Sequence, residues 1–285
     1  MRFGDTADLV KNGAGLLQRG PLALIFAEDE VELDGTLRHH LKQGFGQVIV
    51  FAPKDLPCPE MPGVARVDLA PTGPDAVAQA VTQVNDAAAG HWVYFGFNAE
   101  YLFYPFSETR RVSEMLAFHA EERRDAMVCF VIDLYAPDLS SHPDAVNPQE
   151  AWLDKASYYA LERLGDNKHP KERQLDFFGG LRWRFEEHVP ENRRRIDRVA
   201  LFRAEKGLQL RPDFTLSDEE RNTYACPWHN NLTAAVASFR TAKALKCNPM
   251  SRKAIDSFIW PGSVRFDWSS RQLMDLGLME PGQWF

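Results

Sequence analysis

Residues 91–105 read HWVYFGFNAEYLFYP, and they constrain the fold more than any other stretch. An apolar run from Trp92 to Phe97 breaks at Asn98-Ala99-Glu100, resumes as Tyr101-Leu102-Phe103-Tyr104 and stops at Pro105. A short, continuous apolar run bounded by turn signals is the pattern of a fully buried strand. Where such a strand breaks into a polar turn ending in a carboxylate, oxygen-bearing side chains stand at the edge of a sheet. Open α/β sheets bind their ligands there.

The flanking sequence supplies the rest of that sheet. LALIFAED (22–29) reads as a buried strand running into acids, and EVELDGTLRHHLKQGF (30–45) as a helix stopped near Gly44. QVIVFAP (47–53) is a second strand, followed by a Pro-rich loop and the short strand VARVDL. An Ala/Val helix over 74–90 leads into the strand HWVYFGF, a helix over 107–124 follows, and 126–137 is a strong buried strand. This β-α-β order predicts a mostly parallel, Rossmann-like α/β sheet flanked by helices. Residues 138–176 are rich in Pro, Asp, Asn and His and read as an irregular insertion beside the active site. GGLRWRFEE (179–187) and 198–212 read as strands, and 230–246 as the last helix. Residues 1–250 are expected to form the main domain and 251–285 a C-terminal extension, whose Trp260, Trp268, Trp284 and Phe285 would pack back on it, pair with another subunit or touch a membrane.

Composition removes several function classes. Of 285 residues, 33 are Lys or Arg and 40 are Asp or Glu, so the net charge of −7 argues against a broad nucleic-acid surface. Arg193, Arg194, Arg195 and Arg198 form a local basic cluster that reads first as a solvated helix face, next as a contact for phosphate or anionic lipid, and last as one for nucleic acid. The four cysteines are far apart, with neither metal-ligand spacing nor a disulfide framework. No window reaches ~18 uninterrupted apolar residues, and the N-terminus lacks a signal-peptide core. The expected location is the cytoplasm, with any membrane contact peripheral.

Several side chains are placed to do chemistry. Glu28, Asp29 and Glu30 follow the first strand, where carboxylates can accept hydrogen bonds from a base or ribose, or favour the start of the next helix. Asn98 and Glu100 offer two oxygen ligands one residue apart, suited to Mg²⁺ or Mn²⁺ on a diphosphate, although composition alone favours a strand-end cap. Asp133 ends a strand as a capping acid or a site wall. Arg182 and Arg184, after Gly179-Gly180, would share one strand face and clamp phosphate or a carboxylated sugar, or form a merely exposed strand face with Trp183 and Phe185 turned to the core. His229, just before the expected helix, is a candidate ligand for metal or phosphate.

Together these pieces resemble the glycosyltransferase family 2-like group, close to its family 92-like branch. Four segments carry the likeness in order: residues 22–51, HWVYFGFNAEYLFYP, FFGGLRWRF and ACPWHNNL. The resemblance spans roughly residues 20–245 and implies a GT-A fold with inverting transfer of a sugar from a nucleotide-sugar donor to a cell-surface polysaccharide or glycolipid. It makes Asp29 and Glu30 part of the nucleotide-binding strand end, with Arg182 and Arg184 on the donor. Asn98 and Glu100 fall at the Asp-x-Asp positions, and His229 on the late histidine near a Mn²⁺ or Mg²⁺ ion. The motif is degenerate, because a neutral Asn98 stands where the first aspartate is usual. An inverting reaction needs a carboxylate base; Asp154, beside Trp152 in the 138–176 segment, is the first choice, and Asp133, Glu150 and Asp176 are the others. The rivals are a non-catalytic GT-A relative that binds nucleotide sugar or glycan, and a nucleotidyltransferase.

Overall fold

The computed structural model describes residues 1–224 and 231–284. The chain opens with strand β1 (Arg2–Phe3) and helices α1 (Thr6–Asn12) and α2 (Ala14–Leu17). Then come β2 (Leu22–Phe26), α3 (Leu33–Lys42), β3 (Gln47–Ala52), β4 (Val64–Asp68), α4 (Pro74–Ala87), β5 (Trp92–Phe97), β6 (Glu100–Phe103), α5 (Val112–Glu121) and β7 (Ala126–Tyr135). The second half holds β8 (Trp152–Asp154), β9 (Tyr159–Leu164), β10 (Pro170–Phe178), α6 (Gly180–Arg184), β11 (Asp197–Arg203), β12 (Ala234–Ser238), α7 (Arg240–Cys247), α8 (Ser251–Ala254), β13 (Ser263–Arg265) and α9 (Ser270–Asp275).

The central sheet runs β1-β4-β3-β2-β5-β11-β7-β12-β6, with β8 and β13 joined to it through β7. Five of the eight neighbouring pairs along this path are parallel, so the sheet is mostly parallel. The architecture is the helix-flanked α/β sheet expected from the sequence and is consistent with a GT-A-like fold. After β2 the chain moves outward through β3 and β4, then crosses back to lay β5 on the other side of β2. The order of strands therefore reverses between β2 and β5, and a reversal of this kind leaves a crevice beyond the C-terminal ends of the two strands.

All five residues of β2 and all six of β3 are buried, as a sheet covered on both faces requires. Phe26 stacks on Phe51 with ring centroids 4.7 Å apart, and each such buried side chain contributes about 1.5–3 kcal/mol. A second core forms from Ile132, Leu134 and Ala237 together with Phe266, Leu273 and Met279 of the C-terminal segment. In that segment β13 pairs with β8, the ring of Trp268 stands edge-on to Tyr101 at 4.8 Å, and Trp284 is buried beside Tyr104, Phe106 and Phe118. The segment packs back on the sheet, the first of the three arrangements its tryptophans suggested.

Three local expectations change. Residues 234–238, read as helix for their alanines, form β12, because the slot between β7 and β6 buries all five side chains and outweighs helix propensity. GGLRWRFEE is not a strand: α6 begins at Gly180, whose φ of +59° lies in the left-handed region that glycine adopts freely. Trp183 is consequently 40% exposed rather than turned to the core. The 138–176 segment is more ordered than an irregular insertion, carrying β8 and the antiparallel hairpin β9–β10. Among the described residues, no helix is long and apolar enough to cross a membrane.

Two buried histidines make the fold sensitive to acid. His40 donates from Nδ1 to the Thr36 carbonyl at 2.8 Å, and His119 donates from Nε2 to the Ala126 carbonyl at 2.9 Å. Burial holds His40 down to about 3 and His119 to about 4. The unfolded chain takes up these protons below its ordinary value of about 6.5 while the folded chain does not. Their stabilising effect is therefore full above that value and is lost as pH falls toward the folded values. Each histidine adds a slope of about 1.4 kcal/mol per pH unit within its window. In urea unfolding between pH 6.5 and 5, His119→Gln is expected to flatten the pH dependence by roughly one proton; an unchanged slope would refute the assignment.

Candidate functional site

The crevice between β2 and β5 collects side chains from five segments. Beyond β2 stand Glu28 and Asp29; beyond β5 stands Asn98; β6 opens with Glu100; β12 ends in Ser238; and α7 begins with Arg240 and carries Lys243 one turn later. The turn that joins β5 to β6 is strained, since Ala99 has φ +59° and lacks glycine's freedom. Its amide donates to Thr36 Oγ1 at 2.9 Å, which anchors the turn to α3.

Asn98 ties the two strand ends together. Its Oδ1 accepts from the Glu28 amide at 2.9 Å, and its Nδ2 donates to Asp29 Oδ1 at 2.7 Å and to the Val31 carbonyl at 2.9 Å. Glu100 is fully buried, and its carboxylate accepts from Arg198 at 2.6 and 3.3 Å, from the Phe97 amide at 3.0 Å and from Ser238 Oγ at 3.2 Å. Burial alone would push the Glu100 carboxyl up, but the Arg198 guanidinium, aided by Arg240 and the Phe97 amide, more than offsets it and holds the group below its ordinary value. Glu100, Ser238 and Asp133 are register partners across β6, β12 and β7, so they form one row on one face of the sheet.

Toward solvent the site is closed by two further ion pairs. Arg240 holds Glu28 through two bonds of 2.7 and 2.8 Å and lies over the Phe97 ring at 3.7 Å. Lys243 holds both Asp29 oxygens at 2.7 and 2.9 Å. The side chains of Glu28 and Asp29 are 31% and 43% exposed, whereas that of Lys243 is 7% exposed. Glu30 is exposed.

The two carboxylates named for proton transfer differ in their surroundings. Asp133 accepts from the Leu181 amide at Oδ2, 3.0 Å away, and its Oδ1 lies 3.7 Å from Arg182 without a hydrogen-bond partner. Burial raises its pKa above the ordinary carboxylate value, against the pull of Arg182. Gly180 covers it so closely that a Cβ there would meet Asp133 Oδ2 at 2.9 Å. Asp154 is saturated: Tyr135, Trp260 and Arg184 donate to it at 2.5, 2.7 and 3.1 Å, and Arg184 also lies over the Trp260 ring. It knits β7, β8, α6 and the C-terminal segment together.

Arg182 and Arg184 therefore diverge instead of sharing a face. Arg182 turns to Asp133, Thr241 and the Arg195 carbonyl, next to the crevice, while Arg184 serves Asp154. Among the other carboxylates considered, Asp176 is bound by Arg163 and Arg195, and Glu150 is exposed. Tyr158 is spent on the Asp154 carbonyl, and Tyr159 stacks on Phe178. His229 lies outside the described residues. Among the described residues, no group of three or more His, Cys, Asp or Glu side chains is arranged to hold a metal ion. A surface recess lined by Phe118, Arg124, Met127 and Thr223 lies by the N-terminal end of β7 and contains none of the crevice residues.

Sequence reasoning missed Arg198, Ser238, Arg240 and Lys243. Arg198 belongs to β11 and is 4% exposed, not part of a solvated helix face. Its signal was there: an arginine one residue into the run DRVALF must find an acid if that run is a buried strand. Arg240 and Lys243 stand three apart, which puts both on one face of a helix once α7 is known to start at Arg240.

Removing one partner of a buried ion pair strands the other charge. Arg198→Met is expected to lower the unfolding free energy by about 3–5 kcal/mol, and adding Glu100→Gln is expected to restore at least half of that loss. Additive losses in chemical denaturation would contradict the pairing.

No protein-family model matches the chain, and no curated protein matches it. Among solved structures, the chain is similar to S. aureus TarS 1-349 at 14% identity and a TM-score of 0.24, over 39% of this chain and 35% of that one. The chain thus spans about a third of the length of the structure it matches.

Proposed function

We propose that this chain is a GT-A-like glycosyltransferase that moves a sugar from a nucleotide-sugar donor to a glycan or glycolipid acceptor with inversion. One observation carries the reading: the polar cluster of Glu28, Asp29, Asn98, Arg240 and Lys243 sits at the C-terminal ends of β2 and β5, where the strand order reverses. Open α/β sheets take nucleotides at such a switch point. The strained Ala99 turn and the fixed Asn98 amide keep the two strand ends in one geometry, which lowers the cost of ordering a bound donor.

In the transfer step, the acceptor hydroxyl oxygen attacks the anomeric carbon and its proton passes to a carboxylate. The bond from that carbon to the diphosphate oxygen breaks, and the nucleotide leaves with the electron pair. Asp133 suits the base better than Asp154. Its Oδ1 has no competing hydrogen bond, and its raised pKa lies closer to neutral pH, where a general base works best. The donors Tyr135, Trp260 and Arg184 around Asp154 leave it the role of a brace.

A second reading, a GT-A-like protein that binds a nucleotide sugar or glycan without transferring it, is favoured by one fact. Glu100 and Asp133 are both closed off from solvent, at 0% and 1% exposure. Released nucleotide from a panel of UDP-, GDP-, CMP- and dTDP-sugars separates the two. The transferase reading predicts turnover of at least one donor, with Asp133→Asn lowering kcat by about 10²–10⁴-fold while donor KM changes little. Donor binding without turnover supports the second reading, and full activity in Asp133→Asn removes that residue as the base.

A further inference from the structure

The ligand set at the strand end does not fit a divalent cation. A hard cation needs several oxygens with free lone pairs converging on one point. Every oxygen of Glu100 is already engaged by Arg198, the Phe97 amide or Ser238, and the group has no exposed surface. The one acceptor oxygen of the Asn98 side chain is turned to the Glu28 amide, and its nitrogen points the other way, to Asp29 and Val31. The acids around these two positions are each already paired, Glu100 with Arg198, Glu28 with Arg240 and Asp29 with Lys243, so a metal ion would have to displace a bound Arg or Lys to reach them.

We propose that Arg240 and Lys243 bind the nucleotide diphosphate directly, in the place of a divalent metal. The inference rests on the nucleotide-sugar reading of the same crevice. Both cations are at the mouth of the switch-point crevice, and both are oriented before any ligand arrives. Arg240 is fixed by its stack on Phe97, and Lys243 is almost fully buried along its length. Their present partners, Glu28 and Asp29, are the most exposed members of the cluster; Glu28 can turn into water, while Asp29 stays on the Asn98 and Val31 amides and has only to release Lys243. A diphosphate would then exchange for two carboxylates, anion for anion, and the site's charge balance would be kept. A guanidinium also bridges two phosphate oxygens through parallel N–H donors, as a metal bridges them through coordination. Arg198 stays paired with Glu100 behind them, so the diphosphate is left to Arg240 and Lys243.

The test is isothermal titration of the full chain with UDP, GDP, CDP and dTDP, each in EDTA, in Mg²⁺ and in Mn²⁺. The expected result is one nucleotide that binds with the same affinity in all three conditions. Arg240→Ala and Lys243→Met should each weaken it by about tenfold or more, with Arg240→Lys, which keeps the charge, falling between. Glu28→Gln removes the carboxylate that Arg240 must leave, and it should tighten binding. Binding that needs metal, or that ignores both cation variants, or that weakens in Glu28→Gln, overturns the inference while leaving the nucleotide reading in place. No binding of any nucleotide under any condition overturns both.

Discussion

The structure of the crevice depends on the ion pair between Glu100 and Arg198. Glu100 opens a strand that lies at the far edge of the sheet, and Arg198 belongs to the antiparallel strand inserted beside β5. A carboxylate buried to this degree is costly unless it is neutralised and hydrogen-bonded. Here four donors do both. Because the Phe97 amide and Ser238 are among them, the same carboxylate fixes the end of β5, the start of β6 and the end of β12. The polar groups in front of it, Asn98, Asp29, Lys243, Glu28 and Arg240, then form a chain of hydrogen bonds whose first member is held by that turn.

This arrangement changes what the break in HWVYFGFNAEYLFYP means. Two oxygens one residue apart suggest a shared metal when read in sequence. In the fold they face different partners, because the left-handed Ala99 between them turns the chain so that Glu100 points back at the Phe97 amide while Asn98 reaches across to β2. The cations proposed for a diphosphate come from α7, a segment far away in the chain.

The parts of this fold legible from sequence are those in which burial and period agree. The runs LALIF, QVIVFA and WVYFGF are apolar at every position because both faces of the sheet are covered, and they appear as β2, β3 and β5. The alternation of helix and strand up to residue 135 follows from the same pattern. The misreadings fall where local preference and tertiary context disagree. The alanines of β12 favour helix until a slot between two strands claims them, and the two arginines of α6 alternate like a strand while answering to separate acids. Of the site, Asp29, Asn98, Glu100, Asp133 and Arg182 were visible as polar residues at strand ends or glycine turns. Arg198, Arg240 and Lys243 were not, since what marks them is the acid each one faces across the fold.

The central claim is that this strand end is closed by arginine and not open to a metal. A crystal grown with a nucleoside diphosphate and Mn²⁺, with diffraction collected at the manganese absorption edge, tests it most directly. The account predicts no anomalous peak beside Asn98 or Glu100, with the Arg198–Glu100 pair intact and the diphosphate against Arg240 and Lys243. An anomalous peak within bonding distance of Glu100, with Arg198 displaced, would contradict it.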